Sequence, residues 1–298
     1  MQNMWGYRRF AGRLAVAMAV LVTAVSVTAA IAPSAQAAPT ALAASGPAGV
    51  AAPWAELVNA TTGKVLWSRS PNGERPMGSI TKVMTAYVVL EAGHLNRLIT
   101  VPEGIVRYDT GASTAGLIPG EKYTALQLLY AMLIPSGCDA AYTLANAYGP
   151  GLGNFMAKMN ATARRLGMGR IHFTDPSGLP NPTGYSTYSS PNDLVSLGRD
   201  AMKLAVFRQI VALRTYHLAA SGTHRAHTWT NYNSLLRTYP GAIGIKTGQT
   251  VAAGACVLFE ARRGSTVLIG VVLHSAVWTN LGAALSDATK MLNWGFRR

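Results

Sequence analysis

A chain of 298 residues with 49% apolar and only 13% charged side chains can bury a sizeable core, which excludes intrinsic disorder and leaves room for one large domain or two small ones. Its formal net charge of +14 points to anionic partners, or simply to a solvated basic surface. Two distant cysteines could pair in a secreted chain, although Cys256 lies in the apolar run GACVLFEA, where a buried free thiol is the expectation.

The N-terminus is set apart. Arg8, Arg9 and Arg13 precede the uncharged run LAVAMAVLVTAVSVTAAIA, and Ala35-Gln36-Ala37 forms an A-x-A pattern. This predicts a signal peptide over 1–37 and an exported protein, extracellular or wall-associated. An uncleaved membrane anchor is the competing reading, because the run is nearly long enough to span. Loss of the three arginines leaves a charge of about +11. Outside the membrane no nucleic acid is expected, and an anionic cell-wall or membrane surface is the alternative partner. Residues 38–50 form a small-residue linker. WAELVNATTGKVLWSRS predicts two strands joined at Thr62-Gly63. Ile80, Val83, Met84, Tyr87 and Val88 then recur at helical spacing. Helical patterns continue to about residue 205 in TALQLLYAMLI, DAAYTLANAY, NFMAKMNATARRLG and SPNDLVSLGRDAM, the last with a Ser-Pro start. A break at Pro135 leaves Ser136-Gly137-Cys138 exposed between two helices. In the final third, GAIGIKTG, AGACVLFEARR and STVLIGVVLHS are strand-like, with a turn at Arg263-Gly264. They are apolar almost throughout, so both sheet faces should be covered. Leu281, Leu285, Ala288, Leu292 and Phe296 mark a closing helix that packs on the sheet. The outcome is one domain over 51–298. Its two ends pair into one antiparallel sheet, from 51–84 and 206–298, around an inserted helical region at about 85–205.

Three short strings carry chemistry: Ser79-Ile80-Thr81-Lys82, Ser136-Gly137-Cys138 and Lys246-Thr247-Gly248. About one S-x-x-K string arises by chance in a chain of this length, so order, spacing and element type carry the weight. Ser79 and Lys82 lie one helical turn apart and project from one face. A serine hydroxyl needs a base to become a nucleophile, and a lysine serves only when uncharged. Burial and a second cation, for which Lys246 is the candidate, would favour that state. Ser136, in a turn, can reach into a cleft and relay a proton. Lys246 and Thr247 offer a cation and a hydroxyl to a carboxylate. Gly248 leaves the strand edge open for an extended peptide.

This set resembles the motifs of the penicillin-binding proteins and serine β-lactamases. Within that group the chain is most similar to the low-molecular-mass serine D-Ala-D-Ala carboxypeptidases and transpeptidases, including a small secreted actinomycete branch with Ser-Gly-Cys as its middle motif. GKVLWSRSPNGERPMGSITKVMTAYVVLE, FMAKMNATARRLGM, FTDPSGL and NSLLRTYPGAIGIKTG support that branch, and the resemblance covers about residues 54–297. It implies an α/β fold of the β-lactamase/transpeptidase type: a five-stranded antiparallel sheet flanked by helices, with an inserted all-helical region and the site between them. It implies Ser79 as the acylated nucleophile, Lys82 as its base and Ser136 in the proton relay. Lys246 and Thr247 would bind the terminal carboxylate, and the backbone N–H groups of Ser79 and Gln249 would form an oxyanion hole. The implied partners are peptidoglycan stem peptides and, as covalent inhibitors, β-lactams; no cofactor or metal is implied, and a monomer is expected. Many relatives continue into a β-domain and an anchoring helix, so attachment through such a helix is not expected of a chain ending at Arg298.

Cys138 departs from the broader pattern, which has Asn. A thiol is a weak donor and acceptor, so about 1–3 kcal/mol of hydrogen bonding is lost or passed to water. A functional but sluggish site follows, with Cys138 in the substrate-binding set; a thiolate sharpened by Lys82 or Lys246 is the alternative. A β-lactamase would need a carboxylate, typically a glutamate, poised over water; no glutamate lies between Glu121 and Glu260, and Asp175 and Asp193 lack the surrounding pattern. A non-catalytic wall-binding protein would show damage to these motifs, and none is damaged. His224 and His227 are three apart, but no third ligand accompanies them, so zinc catalysis is not expected.

Overall fold

The computed structural model describes residues 46–104 and 111–298; the expected signal peptide over 1–37 and the part of the expected linker up to residue 45 lie outside them. Strands β1 (Trp54–Asn59) and β2 (Val65–Arg69) form the expected hairpin. Asn59 Oδ1 accepts from the N–H groups of Thr61 and Thr62 at 3.1 and 3.0 Å and shapes its turn. A 3-10 turn, Gly78–Thr81, runs directly into α1 (Lys82–Ala92), whose residues from Lys82 to Val89 are all buried. The spacing had shown one apolar face, but α1 is covered on every side, as a helix with few polar residues must be.

A short ribbon of β3 (Leu98–Thr100) and β4 (Lys122–Thr124) precedes α2 (Ala125–Leu133). Thr124 caps α2 reciprocally with Gln127, each side chain accepting from the other's backbone N–H at 3.1 and 2.8 Å. Next come α3 (Cys138–Tyr148), α4 (Leu152–Arg165) and α5 (Pro191–Ala201). The Ser-Pro start of α5 holds: Ser190 Oγ accepts from Asp193 N–H at 3.2 Å. Then follow α6 (Ala205–Val211), a second ribbon of β5 (Thr215–Leu218) and β6 (His227–Thr230), and the short α7 (Leu235–Thr238). Neither ribbon was anticipated, since strands of three or four residues are too short to show alternation. The main sheet therefore resumes only at Ala242, not at 206.

The last three strands are β7 (Ala242–Thr250), β8 (Gly254–Arg263) and β9 (Thr266–Leu273), followed by α8 (Leu281–Gly295). The five-stranded sheet has the order β2-β1-β9-β8-β7 and is antiparallel throughout. β1 joins the C-terminal strands through β9, from Trp54 opposite Leu273 to Asn59 opposite Leu268. One face, with Val58, Leu258, Ile269 and Val271, packs on the helical block; the other, with Ala55, Leu57, Val257 and Val272, packs on α8 through Ala288, Met291 and Leu292. The expected doubly covered sheet is thus present. β7 is an edge strand, and its inner end lies against the 3-10 turn. Among the described residues no helix is long and apolar enough to cross a membrane.

Candidate active site

The 3-10 turn and the β7 edge meet through glycines. At Gly78, where φ is +53°, an added Cβ would lie 2.7 Å from the Gln249 nitrogen. At Gly248 a Cβ would lie 3.1–3.2 Å from Ile80 atoms and would overlap the Met77 carbonyl. Gly248 is thus needed for closure of the strand against the turn, a reason the sequence did not display. The contact brings the backbone around Ser79 close to that of Gln249, whose side-chain Nε2 donates to the Trp278 carbonyl.

Ser79 is half-buried and Lys82 wholly buried. Lys82 Nζ lies 2.9 Å from Ser79 Oγ, 3.4 Å from Cys138 Sγ and 2.9 Å from the Ser177 carbonyl. A neutral amine has two N–H donors and one lone pair. Directed at Cys138 and Ser177, the donors leave the lone pair facing the Ser79 hydroxyl. The Ser177 carbonyl was not a sequence-level candidate. A backbone acceptor leaves no mark in a side-chain motif, although its string, FTDPSGL, is among those that carry the family resemblance.

Lys246 is also buried, with Thr247 beside it, and its Nζ lies 3.2 Å from the Thr247 carbonyl. Its pKa is pushed well below the ordinary lysine value, first by burial and then by the charge of Lys82, with Cys138 acting weakly the other way. The sequence cast Lys246 as a second cation beside Lys82, and both lysines are buried here, close enough for their charges to interact. Repulsion between two buried ammonium groups favours a pair that carries a single positive charge.

Ser136 and Cys138 are buried at 3% and 2% exposure, which corrects the expectation of an exposed turn. The segment 113–117 covers them. Cys138 N–H donates to the Ser113 carbonyl at 2.9 Å, and the Asp139 carboxylate accepts from Ala115 N–H and Leu117 N–H at 2.9 and 3.0 Å. Asp139 was missed; an acid in the first turn of a helix is the signal that could have found it. Ser136 has φ +63°, a conformation that a non-glycine residue adopts at a cost and that recurs in functional sites. The structure thus brings Ser79, Lys82, Cys138, Lys246, Thr247, Gly248 and Gln249 to one seam between the 3-10 turn and β7, with Ser136 in the adjoining turn.

The remaining candidates lie elsewhere. His224 stacks on Tyr123 at 4.7 Å, and His227 Nε2 sits 2.8 Å from the Tyr123 hydroxyl. Both are packing partners of β4. Cys256 and Cys138 are free and buried, and burial pushes the Cys256 thiol up to about 12, which leaves it inert.

A family model described as D-alanyl-D-alanine carboxypeptidase matches residues 40–276. A D-alanyl-D-alanine carboxypeptidase from Streptomyces sp. is 40% identical over 261 residues, covering 83% of this chain and 88% of the relative. One from Mycobacterium tuberculosis is 37% identical over 250 residues and covers 84% of each. The crystal structure of a Streptomyces DD-transpeptidase superposes with a TM-score of 0.79 at 38% identity, over 85% of this chain and all of that one. With the S-x-x-K turn, the buried lysine pair and the five-stranded sheet in place, the chain belongs to the serine D-alanyl-D-alanine carboxypeptidase family.

Proposed function

We propose that this protein cleaves the D-Ala-D-Ala end of peptidoglycan stem peptides by acyl transfer through Ser79. Lys82 takes the Ser79 proton as Oγ attacks the penultimate carbonyl. The developing oxyanion is held by the N–H groups of Ser79 and Gln249, and Lys246 with Thr247 holds the terminal carboxylate. The C–N bond then breaks, and the proton reaches the departing D-Ala amine by way of Ser136. The acyl-enzyme is released to water, as a carboxypeptidase, or to an amine, as a transpeptidase. A β-lactam enters by the same attack and stays bound, because no glutamate is available to activate water in the middle of the chain. The observation that carries this reading is the 2.9 Å approach of a wholly buried lysine to a serine hydroxyl.

The test is incubation with a fluorescent penicillin and peptide mapping by mass, expecting one adduct on Ser79 and none in Ser79→Ala. Unmarked protein overturns the reading in favour of a non-catalytic binding role. A D-Ala-D-Ala-ended peptide with an acceptor amine should then give both transfer and hydrolysis products. Hydrolysis alone at every acceptor concentration removes the transpeptidase component.

We infer further that residues 51–298 act as one catalytic domain, a monomer, exported by the 1–37 signal through the 38–50 linker. Its basic end supports a place beside an anionic wall or membrane surface. Arg237, Arg262, Arg263, Arg297 and Arg298 are exposed. Arg262 and Arg263 end β8 opposite the start of β7, away from Gln249, and Arg263 and Arg297 both act on Tyr239.

A further inference from the structure

Lys82 Nζ has three partners. Ser79 Oγ is the reacting group, and Cys138 Sγ is a weak acceptor. The Ser177 carbonyl is therefore the one strong, fixed acceptor that orients the amine, and what fixes it is a single carboxylate. Asp175 is wholly buried. Its Oδ1 accepts from Ser177 N–H (2.8 Å), Ser177 Oγ (2.7 Å), Gly178 N–H (2.8 Å) and Leu179 N–H (3.1 Å). Its Oδ2 accepts from the Tyr142 hydroxyl, and Tyr142 stands on α3 one turn beyond Cys138, on the same face.

The turn is also clamped from α1. Thr85 Oγ1 donates to the Pro176 carbonyl at 2.6 Å. Gly178, at φ +86°, lies so close to Gly78 that an added Cβ would overlap the Gly78 carbonyl and sit 2.7 Å from Thr81 Oγ1. The buried carboxylate thus ties the 175–179 turn to α3 with Cys138, and the same turn packs on the 3-10 turn with Ser79 and on α1 with Lys82. Without it, three backbone N–H groups of the turn lose their acceptor in a largely dry setting, and the turn must open to find others.

We infer that Asp175 is a positioning residue for the lysine base. It holds the Ser177 carbonyl against Lys82 Nζ and thereby aims the lysine lone pair at Ser79 Oγ. This rests on the assignment of Ser79 as nucleophile and Lys82 as base. It also gives a reason why this site works with a thiol at Cys138: the carbonyl supplies the orientation that a weak side-chain acceptor does not.

The experiment follows acylation of the purified protein by a fluorescent penicillin over a range of concentrations, separating the apparent binding constant from the limiting acylation rate. The fraction of molecules finally labelled is measured by mass. Asp175→Ala should lower the limiting rate by about a hundredfold, the cost typical of a misplaced catalytic group, with binding changed less than about threefold and labelling complete at long times. Asp175→Asn retains the Oδ1 acceptor and should recover to within about tenfold of wild type. Where Asp175→Ala does not fold, Tyr142→Phe and Ser177→Ala each remove one contact to the carboxylate and should lower the limiting rate by about three- to tenfold. A smaller labelled fraction with an unchanged limiting rate means that Asp175 only stabilises the fold, and overturns the inference; so do unchanged rates in both single-contact variants. Wild-type protein that takes up no label overturns the Ser79 assignment together with this inference. Labelled wild type with unaltered variants overturns this inference alone.

Discussion

At the scale of single residues, Cys138 distinguishes this site from the broader motif. Its sulfur lies 3.4 Å from Lys82 Nζ, alongside 2.9 Å contacts to Ser79 Oγ and the Ser177 carbonyl. The thiol occupies a place where an amide oxygen would bond more strongly, and it is free rather than disulfide-bonded. Replacement by asparagine adds a better acceptor without removing either strong contact. Cys138→Asn should therefore keep its penicillin acylation rate within about tenfold of wild type, as read from the rate of fluorescent labelling. Complete loss of labelling would contradict the assignment of Cys138 as a supporting group. Ser79, Lys82, Lys246 and Thr247 were legible in the sequence because side-chain chemistry at fixed spacing is itself the signal. Ser177 and Asp175 were not, since one acts through its carbonyl and the other through the turn it gathers.

At the scale of elements, the site is a seam between a 3-10 turn and a strand edge. β7 can approach Gly78–Thr81 only because Gly248 has no side chain. Gly248→Ala places a methyl group against the Met77 carbonyl and Ile80, an overpacking that costs about 1–3 kcal/mol and widens the gap between the Ser79 and Gln249 backbones. The variant should retain native circular dichroism and acylate about tenfold or more slowly. An unchanged acylation rate would show that the seam has slack. The long helices and the three C-terminal strands were readable from periodicity, as was the capped start of α5. The two ribbons, β3–β4 and β5–β6, were not, because pairs of three- or four-residue strands are stabilised by their partners and carry little pattern of their own.

At the scale of the whole molecule, the sheet buries a carboxyl whose charge the fold tolerates poorly. Glu260, on β8, is 5% exposed and faces the helical block in the row of Ile269 and Val58. Burial raises its pKa from 4.5 to about 7, against the smaller opposing pull of Arg262 and Arg208. A raised carboxyl pKa means that the folded state holds the proton more tightly than the unfolded chain. The associated stability is full below about pH 4.5 and is lost as pH rises through about 7, amounting to about 3 kcal/mol. Glu260→Gln should match wild type in urea unfolding at pH 4.5 and exceed it by up to about 3 kcal/mol at pH 7.5. Equal pH dependence in the two proteins would show that Glu260 is solvated in the native state. Periodicity, composition and motif spacing by themselves determined the long elements, the doubly covered sheet and the residues able to carry acyl transfer, because these depend on neighbours close in the chain. Only the tertiary structure decided which acceptors surround Lys82, that Lys246 is buried beside it, and why a glycine must stand at 248. Each of these is set by groups tens to hundreds of residues apart in sequence, and their free energies arise from exclusion of water, which exists only once the sheet and the helical block have closed.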